Sequence, residues 1–542
     1  MDQILSASFS WLLAVVTWVP LGNWLLGLLR FKLEERPIHQ VVLATCFGAT
    51  VATTLFGVLS FWTPINSNLG SALALITVVF LGKSCSGLLQ RFWNAFKIWK
   101  WYGHLTLLVL VAISMLITVQ ASLHNDSGLY YIQFIKWINS YPVVPGLANL
   151  HDRLGFNSHW HLLSAAYNSH IFFYAGSNDL NGLLFVLIGL ASVASAMRLA
   201  ERPSIFDAVW AVFPLPFFLL IRFLTSTSPD LPSAIIPVVF LSLLLQKQKE
   251  GMLPVFIIAM TFAVTIKVTS LLFTIALLPI IFWTVQNKEW QTIGTAAVVG
   301  LLVIAPWLIR NVIQTGYIIF PMESIDLFSF DWKVPNQLAA NTRMMVSTHA
   351  KMGTYDLTQY GKPMSQWFPF WLSVQSKTVL GIFVLVASTV FLLLAASLLR
   401  IDRRLSNRST TVQLFLALTV LASLAFWWVS GPNPRFVYGV VFFFLAYLVG
   451  SLAMRFGLSK WLQFAPLVAL IPMLLITRQA LNESPPKKPT EFATMEHVNG
   501  NIYYPVNTDK CWDYELPCAN MDRTDLQFRG EAMEDGFVNT RP

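Results

Sequence analysis

An all-α integral membrane protein is what this chain predicts: a polytopic bundle of about fourteen transmembrane helices with amphipathic helices in its outer loops. Three observations carry that expectation. Hydrophobic residues make up 55% of the 542 and charged residues only 12%, a balance soluble domains rarely reach. Apolar stretches of spanning length recur from Leu5 to Thr477. Lysine and arginine gather in alternate short connections between those stretches.

Taken in order, the spans fall at 5–29, 41–62, 69–89, 105–121, 179–197, 205–221, 231–245, 252–266, 268–285, 292–309, 378–399, 411–430, 436–454 and 461–477. The first has no basic region before it and no small-residue cleavage site after it, so it is expected to stay in the membrane. Connections holding Arg30, Lys32 and Arg36, Lys83 to Lys100, Arg198 and Arg202, Lys247 and Lys249, Lys288, Arg400 to Arg408, and Arg455 with Lys460 read as cytoplasmic. The intervening connections at 63–68, 224–230 and 431–435 hold almost no Lys or Arg. Both termini then face outward, in a multi-pass protein of the inner (plasma) membrane. The net charge of +9 follows from this bias, and no nucleic-acid partner is expected.

Polar sequence long enough to do chemistry falls on the outer face in three pieces: 122–178, 311–377 and the tail 478–542. The organisation expected is a three-span extension at 1–104, a catalytic membrane core at 105–477 and a short extracytoplasmic tail. In the tail, Cys511 and Cys518 bracket six residues in an oxidising compartment, which suits a disulfide closing a small loop. Metal binding is the rival, with His497 the nearest further ligand. Cys46 and Cys85 lie in spans and are expected to be inert.

Two acids stand out in a chain with only 27. Asp126, in His124-Asn-Asp-Ser-Gly-Leu-Tyr-Tyr131, directly follows a span, where a carboxylate at the membrane surface could act as base toward an acceptor hydroxyl. Asp230, in Thr225-Ser-Thr-Ser-Pro-Asp-Leu-Pro232, sits at the mouth of the next outward connection. Helix capping is the plainer reading of each. Arg222, Arg310 and Arg435 end or interrupt spans and can hold a phosphate bidentately or snorkel to head groups. Lys267 lies between apolar runs, where an ammonium needs a polar cavity or a phosphate. His124, His151, His159 and His161 share one loop and could join Asp126 or Asp152 on a metal, though their spacing fits no firm signature.

At these residues the sequence resembles the GT-C superfamily of membrane glycosyltransferases, which includes protein mannosyltransferases, aminoarabinose transferases and oligosaccharyltransferases. Asp126 with Tyr130 resembles the acidic motif of the first long outer loop, and Ser228-Pro-Asp-Leu-Pro232 the second acidic motif. Lys267-Val-Thr-Ser270, the Pro306-Trp, Arg310-Asn, Thr315-Gly and Phe320-Pro pairs, and Pro434-Arg-Phe-Val-Tyr438 resemble later elements, so the likeness spans about 105–477. Three spans precede the one leading to the first acidic loop, where the family usually has none, and a single Asp126 stands where many members carry an acidic pair.

The resemblance implies transfer of a sugar from a polyprenyl phosphate or diphosphate donor to a glycan, lipid or protein acceptor on the outer face, with inversion. Asp126 and Asp230 would be the catalytic pair. Arg310, Arg435 and Lys267 would hold the donor phosphate, and Tyr130, His124 and Asp152 would contact substrate. Asp126, Asp230 and His124 are the set a divalent cofactor, Mg or Mn, would use. Two other readings stay open: a transporter or flippase of lipid-linked saccharides, and an O-antigen-type polymerase or ligase relying on Arg343, His349 and Lys351.

Overall fold

The computed structural model of the chain describes residues 2–33, 35–168, 180–246, 252–398, 407–523 and 525–540. Lys247, Lys249, Arg400, Arg403 and Arg404, residues 169–178 and the ends of the spans expected at 179–197 and 378–399 lie outside them. The chain is 71% helical with few strands, which places it in the all-α class. Nine of the described helices are long and apolar enough to cross a membrane, or eleven if two bent pairs each count as one span. Helix is the expected answer there, because a backbone crossing hydrocarbon must satisfy its own N–H and C=O groups.

Departures from the expected spans concentrate where proline interrupts an apolar run. The run at 205–221 breaks into Ile205–Val212 and a tight 3-10 stretch, Leu215–Thr225, bent by 52° around Pro214 and Pro216. Asp230–Leu243, Met252–Ile266 and Leu414–Ser430 are apolar but shorter than the nine.

The first three helices do not stand apart from the core. Pro37–Leu59 packs on Asp2–Leu28 and also on Leu180–Leu199, His159–Ala166 and Trp290–Thr315. Two glycines make the first of these contacts close. A Cβ at Gly22 would lie 1.7 Å from the Ala44 carbonyl oxygen, and one at Gly48 would lie 1.8 Å from that of Trp18.

Leu180–Leu199 defines the two ends of the bundle. At one end the Asn181 amide donates to the carbonyls of Phe223, Ser226 and Ser228, at 3.1, 2.8 and 3.0 Å, and so shapes the loop leading to Asp230. At the other end, about 25 Å away by helical rise, Arg198 meets a buried acid. Asp207 is fully buried there, 2.8 Å from Arg36 and 3.7 Å from Arg198, and it also accepts from Ser195 and Ser204.

The tail ends the chain on the Asn181 side. Phe492–His497 pairs antiparallel with Gly500–Pro505, and Leu526–Phe528 with Phe537–Asn539. Cys511 and Cys518 are joined by a disulfide, with Cα atoms 6.1 Å apart. The enclosed loop is tied to the first outer segment: the Trp512 N–H donates to the Gly128 carbonyl at 2.9 Å, and Gln133 donates to the Trp512 and Tyr514 carbonyls. Arg529 reaches Asp331 at 2.6 Å, so the tail and both long outer segments share one face.

Replacing Asp207 leaves two arginines without their buried counter-charge. Asp207→Ala is expected to cost about 3 kcal/mol, seen as a lower unfolding midpoint in mixed micelles; an unchanged midpoint would refute this role.

Candidate active site

Neither acid serves as a helix cap. The Asp126 side chain makes no capping bond to the turn that follows it, and Asp230 lies inside the first turn of Asp230–Leu243. Both carboxylates turn instead to one guanidinium. Arg435 Nη1 lies 3.2 Å from Asp126 Oδ2 and 3.4 Å from Asp230 Oδ2. Lys267 closes the cluster by donating to Asp230 Oδ1, and its ammonium sits 4.0 Å from the centre of the Phe436 ring.

Local backbone explains how residues so far apart in sequence converge. Pro434 starts a short 3-10 turn, Pro434–Phe436, and the Asn433 side chain accepts from the Arg435 N–H, which places the guanidinium at the bundle mouth. Lys267 stands in extended conformation between Met252–Ile266 and the 3-10 stretch Val268–Leu277, so its side chain leaves the helical path there. Leu123 donates its N–H to Thr225 Oγ1 at 3.0 Å and joins the two acidic loops.

His124 is the fifth member. Its Nε2 lies 3.2 Å from Arg435 Nη1. Its Nδ1 accepts the backbone N–H of Asp126 at 3.3 Å and lies 3.8 Å from Asp126 Oδ2. Burial lowers the ring below the usual histidine value, so it is neutral at pH 7. Burial raises the Asp126 carboxyl, but Arg435 and His124 outweigh it and hold the group below the usual carboxylate range.

The structure also separates residues the sequence grouped. Tyr131, not Tyr130, points its hydroxyl at the acid, 3.5 Å from Asp126 Oδ2 and 3.3 Å from Ser228 Oγ. Ser127–Tyr131 is a π-turn in which the Ile132 N–H returns five residues to Ser127, so position i+5 rather than i+4 comes over Asp126. Tyr130 stacks edge-on against Tyr131, ring centres 4.5 Å apart, and lies in the wall. Asp152 is held away, 3.4 Å from His151 and 3.7 Å from Arg153, and accepts from Thr342 at 2.8 Å, fastening the first outer loop to Asn336–Met352. Arg310 makes no ion pair with either acid among the described residues; it contacts Asn157 and Ser60. Arg222 pairs with Glu483 at 2.7 Å at the surface, and Arg343 pairs with Glu323. Ser228 and Phe436 lay in the motifs around Asp230 and Arg435 but were given no role of their own, because neither side chain carries charge.

A divalent ion has no ready cradle. Among the described residues no three of His, Cys, Asp and Glu are grouped to hold a metal. Asp126 Oδ2 and both Asp230 oxygens face Arg435 or Lys267, two cations that would repel it. The donor set therefore does not fit a divalent metal, and no step below runs through one.

One side of the cluster opens on apolar surface. A narrow groove begins at Phe436, under the Lys267 ammonium, and runs past Leu272, Phe273, Phe426, Trp427 and Val440.

Fold and centre together define a class: a polytopic helical membrane protein with a buried acid and cation cluster at one end of its bundle. Residues 4–442 match the family described as a domain of unknown function (DUF8201), and the chain belongs to that family. No curated protein and no solved structure matches it.

Because the native state depresses Asp126, the stability this acid contributes is present above the ordinary carboxylate range and lost as pH falls through its lowered value. Arg435→Gln removes the cation that holds this carboxyl down, so the fall in stability on acidification should be shallower than in the unsubstituted protein. Superimposable acid limbs would contradict the assignment.

Proposed function

We propose that the chain is a glycosyltransferase of the GT-C kind, moving a sugar from a polyprenyl phosphate or diphosphate donor to an acceptor at the extracytoplasmic face. The observation that carries this reading is Arg435. Its guanidinium bridges two acids from different loops, yet its Nε is buried without a hydrogen-bond partner among the described residues, a vacant donor beside Lys267. A lipid phosphate supplies the missing acceptor, and the groove from Phe436 suits the first isoprene units of its tail.

In this reading the chemistry divides cleanly. Donor phosphate oxygens take up Arg435 Nε and the Lys267 ammonium, and the negative charge that develops as the phosphate leaves is stabilised there. Drawn toward the phosphate, Arg435 holds Asp126 less tightly and the carboxylate becomes a better base. Asp126 takes the proton of the acceptor hydroxyl as its oxygen attacks the anomeric carbon, and the glycosyl–phosphate bond breaks on the opposite face. Asp230 keeps Lys267 and Arg435 in place. His124, neutral, and Tyr131 orient Asp126.

The orientation of the bundle belongs to the same proposal. The face shared by the acids, the long loops and the tail is the extracytoplasmic one, and the Arg36–Arg198 end is cytoplasmic. If the three shorter apolar helices cross with the eleven, fourteen crossings result.

Asp126→Asn should lower transfer from polyprenyl-linked sugar donors by about 10²- to 10⁴-fold with folding retained. Lys267→Gln should chiefly raise the donor KM. A transporter reading expects saccharide translocation without glycosidic bond formation, and a polymerase or ligase reading expects His349→Ala, not Asp126→Asn, to stop turnover. Full transfer by Asp126→Asn would remove the proposal.

A further inference from the structure

Arg310 is 1% exposed and has no acid within ion-pair distance among the described residues. Its Nε donates to Asn157 Oδ1 at 3.0 Å and its Nη1 to Ser60 Oγ at 2.6 Å. Those partners are neutral and fixed. Asn157 donates its own amide to Asn311 Oδ1 at 2.7 Å and to the Trp307 carbonyl, and the Ser60 hydroxyl proton goes to the Gly57 carbonyl at 2.7 Å. Two of five guanidinium N–H groups are thus engaged, and the charge itself is uncompensated. A buried cation in that condition is costly, and within a membrane bundle it marks a place for an anion.

A second observation points the same way. Arg310 lines a narrow cleft with Ser60, Trp137, Tyr141, Val143 and Gln314. Among the described residues, Trp137, 2% exposed, has no partner for its indole N–H, and Gln314, 1% exposed, has none for its amide oxygen. Turning the Gln314 amide would bring its NH₂ to the cleft, since its O and N are interchangeable by a simple flip. These donors come from two different helices, Ile132–Ser140 and Trp290–Thr315.

We propose that this cleft is an anion site separate from the Asp126–Arg435 centre, taking one phosphate or phosphate-ester group through Arg310, Trp137 and Gln314. The two sites share no partner residue, and they lie at opposite ends of the segment from Asp126 to Tyr141. The site stands whether or not the chain transfers sugars. Its phosphate comes from a membrane lipid head group or from a soluble phosphate ester.

The test uses the full chain carrying Lys267→Gln, which weakens phosphate binding at the other centre. In detergent, equilibrium dialysis with radiolabelled inorganic phosphate reads the soluble source. Native mass spectrometry of anionic phospholipid retained from phosphatidylglycerol nanodiscs reads the lipid source. One equivalent is expected in at least one arm, and the arm that binds identifies the source. In that arm binding should weaken about fivefold in Trp137→Phe, the worth of one hydrogen bond, and at least about tenfold in Arg310→Gln. Trp137→Phe keeps the test decisive should Arg310→Gln not fold. Binding in neither arm, or affinity unchanged in Trp137→Phe, would overturn the proposal, whatever the outcome of the sugar-transfer assay.

Discussion

One guanidinium organises the outer end of this protein. Asp126 and Asp230 come from loops a hundred residues apart, and two carboxylates in a poorly hydrated site repel each other unless a cation stands between them. Arg435 is that cation, at 3.2 and 3.4 Å from the two acids. Its position rests on Pro434 and Asn433, that of Lys267 on the break between two apolar helices, and that of Asp126 on a π-turn beneath the tail disulfide loop. Disturbing any of these supports reaches the acids through Arg435.

The arrangement also explains why the chain keeps a tail too short for a core of its own. Trp512 and Gln133 fasten the disulfide-closed loop to the turn that carries Asp126. The tail adds a tie to an outer loop that Leu123 and Asp152 also fasten to their neighbours. On the opposite end, Asp207 does for Arg36 and Arg198 what Arg435 does for the acids, with the charges reversed. Buried ion clusters at both ends, joined by the nearly all-apolar Leu180–Leu199, give the bundle one favoured register.

Membrane class was legible because hydropathy and charge placement respond to the bilayer itself, residue by residue. Span count was less so: Pro214 and Pro216 turn an apolar run into a bent pair, and apolarity alone does not distinguish a crossing from a short buried helix. Asp126, Asp230, Lys267, Arg435 and His124 were readable as charged or titratable groups next to spans on one side. Tyr131 was missed in favour of Tyr130 because an ordinary helical count places i+4, not i+5, over the acid. Arg310 and Asp152 were grouped with the site by motif, yet packing gives them other partners; only coordinates reveal which face of Trp290–Thr315 carries the guanidinium.

Sharing of Arg435 between the acids is best tested by a double-mutant cycle on unfolding stability with Asp126→Asn, Asp230→Asn and the pair. Each single variant leaves the guanidinium one counter-charge; the pair leaves none. The double variant should then lose more stability than the two singles combined, by at least about 0.5 kcal/mol. Strict additivity would show that the two carboxylates do not meet on a common cation.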